Sequence, residues 1–351
     1  MLTHIDKLKS GENLSEDTMT QIMTRIMAGD VRADHLEDFL IALSEKGETA
    51  DEITGAARVL RSQALTLKAP YDAVDCCGTG GDAQGAHGGT YNISTAVALV
   101  AAACGVPMAK HGNRAASSKS GTADVLEALG VNLDMPIPAL EGALEEFRFA
   151  FLMAPHHHSA MKHVADARKA IGQKTGGRTI FNLLGPLANP AGTQLQLIGV
   201  FDKKWLKPMA EALHRLGTSR AWLVHGTDGL DEITVTGKTH IVTLNEEGNM
   251  EEKTLSPDDF GLQTHDISAL KGGAPEDNAR ALRALLEGQK GAYRDIVLAN
   301  AAAALVIHGT AADLKDGVRR GAEALDSGMA MEVLTDYITL SRHMQDDSAH
   351  G

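Results

Sequence analysis

Apolar side chains recur at helical spacing through the first sixty-odd residues. Met19, Ile22, Met23, Ile26 and Met27 fall at i, i+3, i+4, i+7 and i+8, which predicts one face of a helix that Gly29 ends. Leu36, Phe39, Leu40 and Leu43 repeat the stripe before Gly47. Thr49-Ala50-Asp51-Glu52 reads as a capping box that opens a third helix, with Ile53, Ala57, Leu60 and Ala64 inward. Three short amphipathic helices bury little alone, so the unit is expected to pack on the rest of the chain or on a second subunit. From about residue 71 short apolar strands alternate with Ala-rich helices. Strands are predicted at 73–77, 106–109, 149–153, 195–201 and 221–225, and helices at 94–104, 122–129, 138–147, 203–216 and 294–307. Residues 233–235 and 239–244, flanking Gly237-Lys238, read as a hairpin.

This alternation predicts an α/β fold: a mainly parallel central sheet flanked by helices, with ligands at the carboxyl ends of the strands. A small N-terminal all-helical domain is expected over 1–68, joined by helices from about 160–190, with the α/β domain over 69–345. The polar tail from Gln345 is expected to fray.

Composition narrows the function. The 351 residues are 43% hydrophobic, enough for a sizeable core, and only 4% aromatic. A net charge of −13 argues against a nucleic-acid or membrane-surface partner, since a polyanion needs a positive face. Cys76, Cys77 and Cys104 lack C-x-x-C spacing and read as buried thiols of a reducing cytosol. No run resembles a signal peptide or a membrane span, so a cytoplasmic protein is expected.

Against this acidic background, residues 110–121 concentrate Lys110, Arg114 and Lys119 with His111, Asn113 and the hydroxyls of Ser117, Ser118 and Ser120. Upstream stands Gly78-Thr79-Gly80-Gly81-Asp82, whose glycines let consecutive N–H groups converge on an anion. Asn92-Ile93-Ser94-Thr95 precedes an apolar helix, placing its hydroxyls where free N–H groups and the macrodipole favour phosphate. Together the three segments describe a site for a ligand with several phosphates. Farther on, Asp228-Gly229-Leu230-Asp231-Glu232 follows a strand, a placement that suits Mg²⁺ as well as a plain acidic loop. His156, His157 and His158 cannot all face one ion without unusual backbone, so no zinc site is assigned to them.

GTGGD at 78–82, NIST at 92–95, KHGNRAASSKSGTADVLEALG at 110–130 and RTIFNLLGPLANP at 178–190 resemble the anthranilate phosphoribosyltransferase family over nearly the whole chain. The resemblance implies transfer of the phosphoribosyl group of 5-phosphoribosyl 1-pyrophosphate (PRPP) to the amine of anthranilate, in tryptophan biosynthesis. It implies PRPP contacts at Gly78, Gly81, Asp82, Thr90, Asn92, Ile93, Ser94, Thr95, Lys110, His111, Gly112, Asn113, Arg114, Ala115, Ala116, Ser117, Ser118 and Thr122. It implies an anthranilate pocket of Gly78, Asn113, His158, Arg168 and Pro186, with the Arg168 fork matching the carboxylate. Read without the family, Arg168 is equally a surface partner of Asp166. Ser94, Asp231 and Glu232 would hold magnesium, two ions per subunit, and Lys110 and Lys119 would stabilise the leaving group. A homodimer through an apolar face of the helical domain is implied. Residues 83–90 and 173–177 exceed the family spacing, and Ser159 stands where proline is usual. The alternatives are a nucleoside phosphorylase and a phosphoribosyltransferase for another aromatic amine.

Overall fold

The structure, a computed structural model, describes residues 1–80, 89–115, 119–175 and 177–349. Four helices open the chain: α1 (Leu2–Lys9), α2 (Glu16–Met27), α3 (Ala33–Lys46) and α4 (Ala50–Ser62). The first of these is missing from the sequence reading, because its eight residues bury only Ile5 and Leu8 and make too short a stripe. The capping box at Thr49 forms as expected, with the Thr49 hydroxyl taking the Glu52 N–H and the Glu52 carboxylate returning to Thr49 N. That carboxylate is fully buried, where it also accepts Leu14 N–H and the Lys46 ammonium at 2.9 Å each.

Seven strands form one sheet in the order β3-β2-β1-β4-β5-β6-β7 among the described residues. They are β1 (Val74–Gly78), β2 (Met108–Gly112), β3 (Phe149–Met153), β4 (Leu195–Gly199), β5 (Arg220–Gly226), β6 (Thr239–Leu244) and β7 (Met250–Leu255). The first five pair in parallel and the last two antiparallel. The intervening helices are α5 (Ile93–Ala103), α6 (Thr122–Leu129), α7 (Ile137–Glu146), α8 (Ala154–His157), α9 (Lys162–Thr175), α10 (Ile180–Leu187) and α11 (Leu206–Arg215). After the sheet come α12 (Pro275–Leu286), α13 (Ala292–His308), α14 (Leu314–Asp326) and α15 (Met329–Ala349). No helix among the described residues is long and apolar enough to cross a membrane.

Strand alternation divides the core between the two faces of the sheet. Leu195 and Leu197 of β4 pack with α5 and α13, whereas Ile198 and Val200 join α2–α4, α10 and α11 on the other face. Val164, Ala167 and Ile171 of α9 and Ile180, Leu183 and Leu184 of α10 belong to that second cluster. The apolar stripes of α2 and α3 are therefore covered within one chain. Met19, Met23, Phe39 and Leu40 are fully buried, each such side chain contributing about 1.5–3 kcal/mol. This corrects the expectation that the helical unit exposes an apolar face.

The hairpin of 233–235 with 239–244 does not form. The Asn300 amide of α13 takes the Ile233 N–H at 2.9 Å and donates to the Ile233 carbonyl at 2.8 Å, so a buried side chain supplies what a strand partner would. Residues 239–244 pair instead with β5 and with β7, an edge strand whose Glu251, Glu252 and Lys253 are exposed.

Candidate active site

A cavity of about 710 Å³ opens at the carboxyl ends of β1, β2, β3 and β5, where a parallel sheet exposes its loops. On one wall, α5 begins at Asn92. Its hydrogen-bonding pattern is unusual for an asparagine at that position, because the side chain makes no cap bond. The N–H groups of Ser94 and Thr95 have no acceptor among the described residues. Lys110, on β2 and almost fully buried, donates to the Cys76 carbonyl at 2.8 Å and to Ser94 Oγ at 3.0 Å. Asp75 lies beneath it in β1. Its carboxylate accepts the His111 N–H at 3.2 Å, and burial pushes its pKa up against the pull of Lys110.

The acidic turn after β5 closes over the same end of β1. Asp231 is buried and its Oδ2 accepts the Gly80 N–H at 2.9 Å. A Cβ on Gly78 would stand 2.6 Å from that Oδ2, so the first glycine of the loop admits the carboxylate. Gly80, at φ +76°, adopts the left-handed turn that aims its N–H at Asp231. Burial and then the neighbouring Asp231 push the Glu232 carboxyl up to about 8. The loop glycines let Asp231 sink into the cavity wall, while Glu232 stays half-buried beside it. Asp228 shapes the turn, accepting Thr234 and Thr236 hydroxyls and the Leu230 N–H.

The opposite wall comes from α8–α10. Arg168 follows buried Ala167 on α9, and its guanidinium lies 5.6 Å from the Phe181 ring centroid. It makes no hydrogen bond or ion pair among the described residues, Asp166 included, and burial lowers its pKa. Arg178 instead stacks on Phe201 at 3.8 Å. His158 Nε2 donates to the Ala188 carbonyl at 2.9 Å and His157 Nδ1 to the Leu65 carbonyl at 2.6 Å, so two of the three histidines are tied to backbone. The His111 ring is 5.3 Å from that of His158. Burial, with His158 and His157 adding to it, lowers the His111 pKa to about 3, and its Nε2 has no partner among the described residues. Cys77 also faces the cavity. Burial pushes its thiol well above the ordinary value, so it supplies no thiolate nucleophile.

Gly78, Thr90, Asn92, Ile93, Ser94, Lys110, His111, Gly112, Asn113, Arg114, Ala115, Lys119, Thr122, His158, Arg168, Pro186, Asp231 and Glu232 all line this cavity. Thr95 does not; it is fully buried, with its hydroxyl on Thr122 Oγ1 at 3.4 Å. Arg114 directs its guanidinium to Glu127 and Asp124. Gly81, Asp82, Ala116, Ser117 and Ser118 lie outside the described residues, as does most of the longer 83–90 stretch. Of the second stretch, 173–175 extend α9. The sequence reading missed Gly272, Gly273 and Asn278, which line the wall beside Asn92. The signal available was a Gly-Gly pair ahead of a Pro-initiated helix.

Comparison with known proteins gives the family. Residues 70–331 match the family model described as glycosyl transferase family, a/b domain, and residues 2–64 its helical bundle domain. The anthranilate phosphoribosyltransferase of Rhodospirillum rubrum is 54% identical over 96% of this chain and 94% of its own length. The solved Thermus thermophilus enzyme of that name is 44% identical, with a TM-score of 0.88 over 97% of this chain and 99% of that one. The Saccharomyces cerevisiae enzyme, solved in complex with PRPP and Mg, is 28% identical, with a TM-score of 0.86 over 97% and 98%. It has also been solved with 4-fluoroanthranilate, at a TM-score of 0.85, 27% identity and coverages of 97% and 98%. Matched by the two family models, by relatives at about half identity and by solved structures of the same fold over nearly its full length, the chain belongs to the anthranilate phosphoribosyltransferase family.

Proposed function

We propose that PRPP lies against the α5 N-terminus, Lys110 and the cationic loop, and that anthranilate enters along the His158–Arg168 wall. The chain transfers the phosphoribosyl group of PRPP to the amine of anthranilate, giving N-(5-phosphoribosyl)anthranilate and pyrophosphate, the second step of tryptophan synthesis from chorismate. One observation carries the placement of substrates. A single cavity holds a buried lysine beside N–H groups that have no acceptor among the described residues on one side, and on the other a half-buried guanidinium with no ion pair among them. The first suits a polyphosphate and the second a planar carboxylate.

The aryl amine of anthranilate is neutral near pH 7 and needs no strong base. The barrier lies in breaking the C1–O bond, which leaves positive charge on the ribose ring, as in glycoside cleavage, and negative charge on pyrophosphate. Buried Lys110, held in place by its hydrogen bonds, opposes that negative charge without reorganising, an effect worth about 3–4 kcal/mol per donor in comparable anion sites, and exposed Lys119 adds a second positive charge. Neutral His111 offers a hydrogen-bonding nitrogen there, not a charge.

Asp231, Glu232 and the Ser94 hydroxyl give the cavity a hard-oxygen donor set that fits Mg²⁺. The raised Glu232 pKa fits as well, since two crowded carboxylates favour a cation between them. Bound magnesium, two ions per subunit in this proposal, would neutralise the departing pyrophosphate.

The proposed division of the chain is a helical domain of 1–68, joined by helices from 160–190, and an α/β domain of 69–345. The support is the cluster that α9 and α10 share with α2–α4. A homodimer through the helical domain is also proposed. Its contact would be largely polar around Leu2, which is 58% exposed at the start of α1. A cytoplasmic location is proposed on the three free cysteines, which a reducing compartment leaves unpaired.

Anthranilate fluorescence tests the reading. It should fall only when PRPP and Mg²⁺ are both present. Faster phosphorolysis of a nucleoside, or faster turnover of another aromatic amine, would overturn it.

A further inference from the structure

Asparagine at a helix N-cap normally turns its side-chain oxygen onto the N–H groups of the first turn. Asn92 does not. Its Oδ1 accepts from Asn278 Nδ2 at 2.8 Å and from Ser120 Oγ at 3.4 Å, while its Nδ2 donates to the Ser120 carbonyl at 3.3 Å. Asn278, 2% exposed, is oriented in turn by its Oδ1, which accepts the Gly273 N–H at 2.8 Å. That bond leaves the Asn278 amide nitrogen facing Asn92.

The loop carrying Gly273 is itself fastened to the chain entering α5. Tyr91 N–H donates to the Leu270 carbonyl at 3.2 Å, and Gly272 N–H to the Gly89 carbonyl at 3.1 Å. Thr90 and Lys271 form an antiparallel bridge, and a Cβ on Gly272 would lie 2.2 Å from the Thr90 carbonyl oxygen. Three loops thus meet at Asn92: the entry to α5, the cationic loop through Ser120, and 270–273 through Asn278.

We propose that Asn278 is a positioning residue that holds the Asn92 side chain off the α5 N-terminus, keeping the Ser94 and Thr95 N–H groups open for the phosphates of PRPP. Without the Asn278 donor, the Asn92 oxygen can rotate onto its own helix and compete with the substrate for those groups. The proposal rests on the placement of PRPP given above.

The test is calorimetric titration with PRPP and Mg²⁺, together with steady-state KM for both substrates. Asn278→Ser keeps an oxygen for the Gly273 N–H but is too short to reach Asn92. An internal N-cap is expected to weaken PRPP binding by about three- to thirtyfold. The KM for anthranilate and kcat should stay within about twofold. Removing the competing oxygen as well should remove the competition, so Asn278→Ser/Asn92→Ala should bind PRPP no more weakly than Asn92→Ala alone. Losses that add in the double variant, or equal rises in both KM values, would overturn the role. Should Asn278→Ser not fold, Asn278→Ala removes the same donor without adding charge and carries the same expectations. Lys110→Met is the control. If it leaves PRPP affinity intact, the placement of PRPP fails and the proposal with it. If it weakens PRPP while Asn278→Ser does not, the Asn278 role alone is overturned.

Discussion

Replacing Arg168 by alanine separates the two substrates on the two walls of the cavity. In the free protein its guanidinium is half-buried and makes no hydrogen bond or ion pair among the described residues, only a contact with the Phe181 ring at 5.6 Å. That contact is worth about 0.5–1 kcal/mol, and the cost of burying an unpaired cation opposes it. Arg168→Ala should therefore leave the melting temperature of the ligand-free protein nearly unchanged. Binding is different. A carboxylate held by the guanidinium makes charge-assisted bonds worth about 1.5–3 kcal/mol, so the KM for anthranilate should rise about 10- to 100-fold. The KM for PRPP should hardly move, because Lys110 and the α5 N-terminus occupy the other wall. Arg168→Lys should fall between, since it keeps the charge and loses the fork. Anthranilate fluorescence gives both KM values, and thermal unfolding without ligand gives the stability. An unchanged anthranilate KM would refute the reasoning, as would a fall in stability accompanied by equal rises in both KM values.

Asp231→Asn with Glu232→Gln should sharply reduce turnover at limiting Mg²⁺ and, by relieving two crowded buried carboxylates, leave the melting temperature equal or higher; near-normal activity would refute the metal assignment. Glu48, buried between α3 and α4, has its pKa raised from 4.5 to about 7 by burial and then by Glu52. The folded state therefore holds a proton that the unfolded state has released, and stability is present below pH 4.5 and lost as pH rises through 7, by roughly 3 kcal/mol. Glu48→Gln should flatten that slope and melt higher than the parent at pH 8, and denaturant titrations at pH 5 and 8 check it. Sedimentation at micromolar concentration should show a dimer whose association weakens with salt, because the apolar stripes of α2 and α3 are already buried within the subunit; a monomer would refute the proposed assembly.

What could be read from the chain follows from how local each signal is. The stripes at Met19–Met27 and Leu36–Leu43 declare helices because a buried face repeats within a few turns. The parallel strands are legible for a related reason: covered on both faces, they are largely apolar, wholly so in Phe149–Met153, while β1, β2 and β4 each carry a buried polar residue in Asp75, Lys110 and Gln196. Edge strand β7 has no such cover. Its Glu251-Glu252-Lys253-Thr254 run carries no strand pattern, and only its ladder with β6 makes it one. The misplaced hairpin fails for the opposite reason. Residues 233–235 have a strand's composition, but the backbone of Ile233 is paired by the side chain of Asn300, 67 residues away in sequence and therefore invisible to any local pattern.

The site divides along the same line. Lys110, Ser94 and the Gly78–Gly80 loop announce anion binding because charge, hydroxyl and glycine stand within short segments. What those residues do depends on partners far along the chain. Gly78 makes room for Asp231, and Gly80 aims its N–H at the same carboxylate, a role that phosphate-loop reasoning alone does not suggest. Asn92 has the residue type and position of a helix cap, and a local reading would assign it that duty. A residue 186 positions later takes its oxygen instead. The uncapped start of α5 is therefore a property of the tertiary structure, and so is its capacity to receive phosphate. In the role proposed for Asn278, anion affinity at this helix depends on the residue that keeps Asn92 turned away as well as on the four residues that look like a phosphate motif.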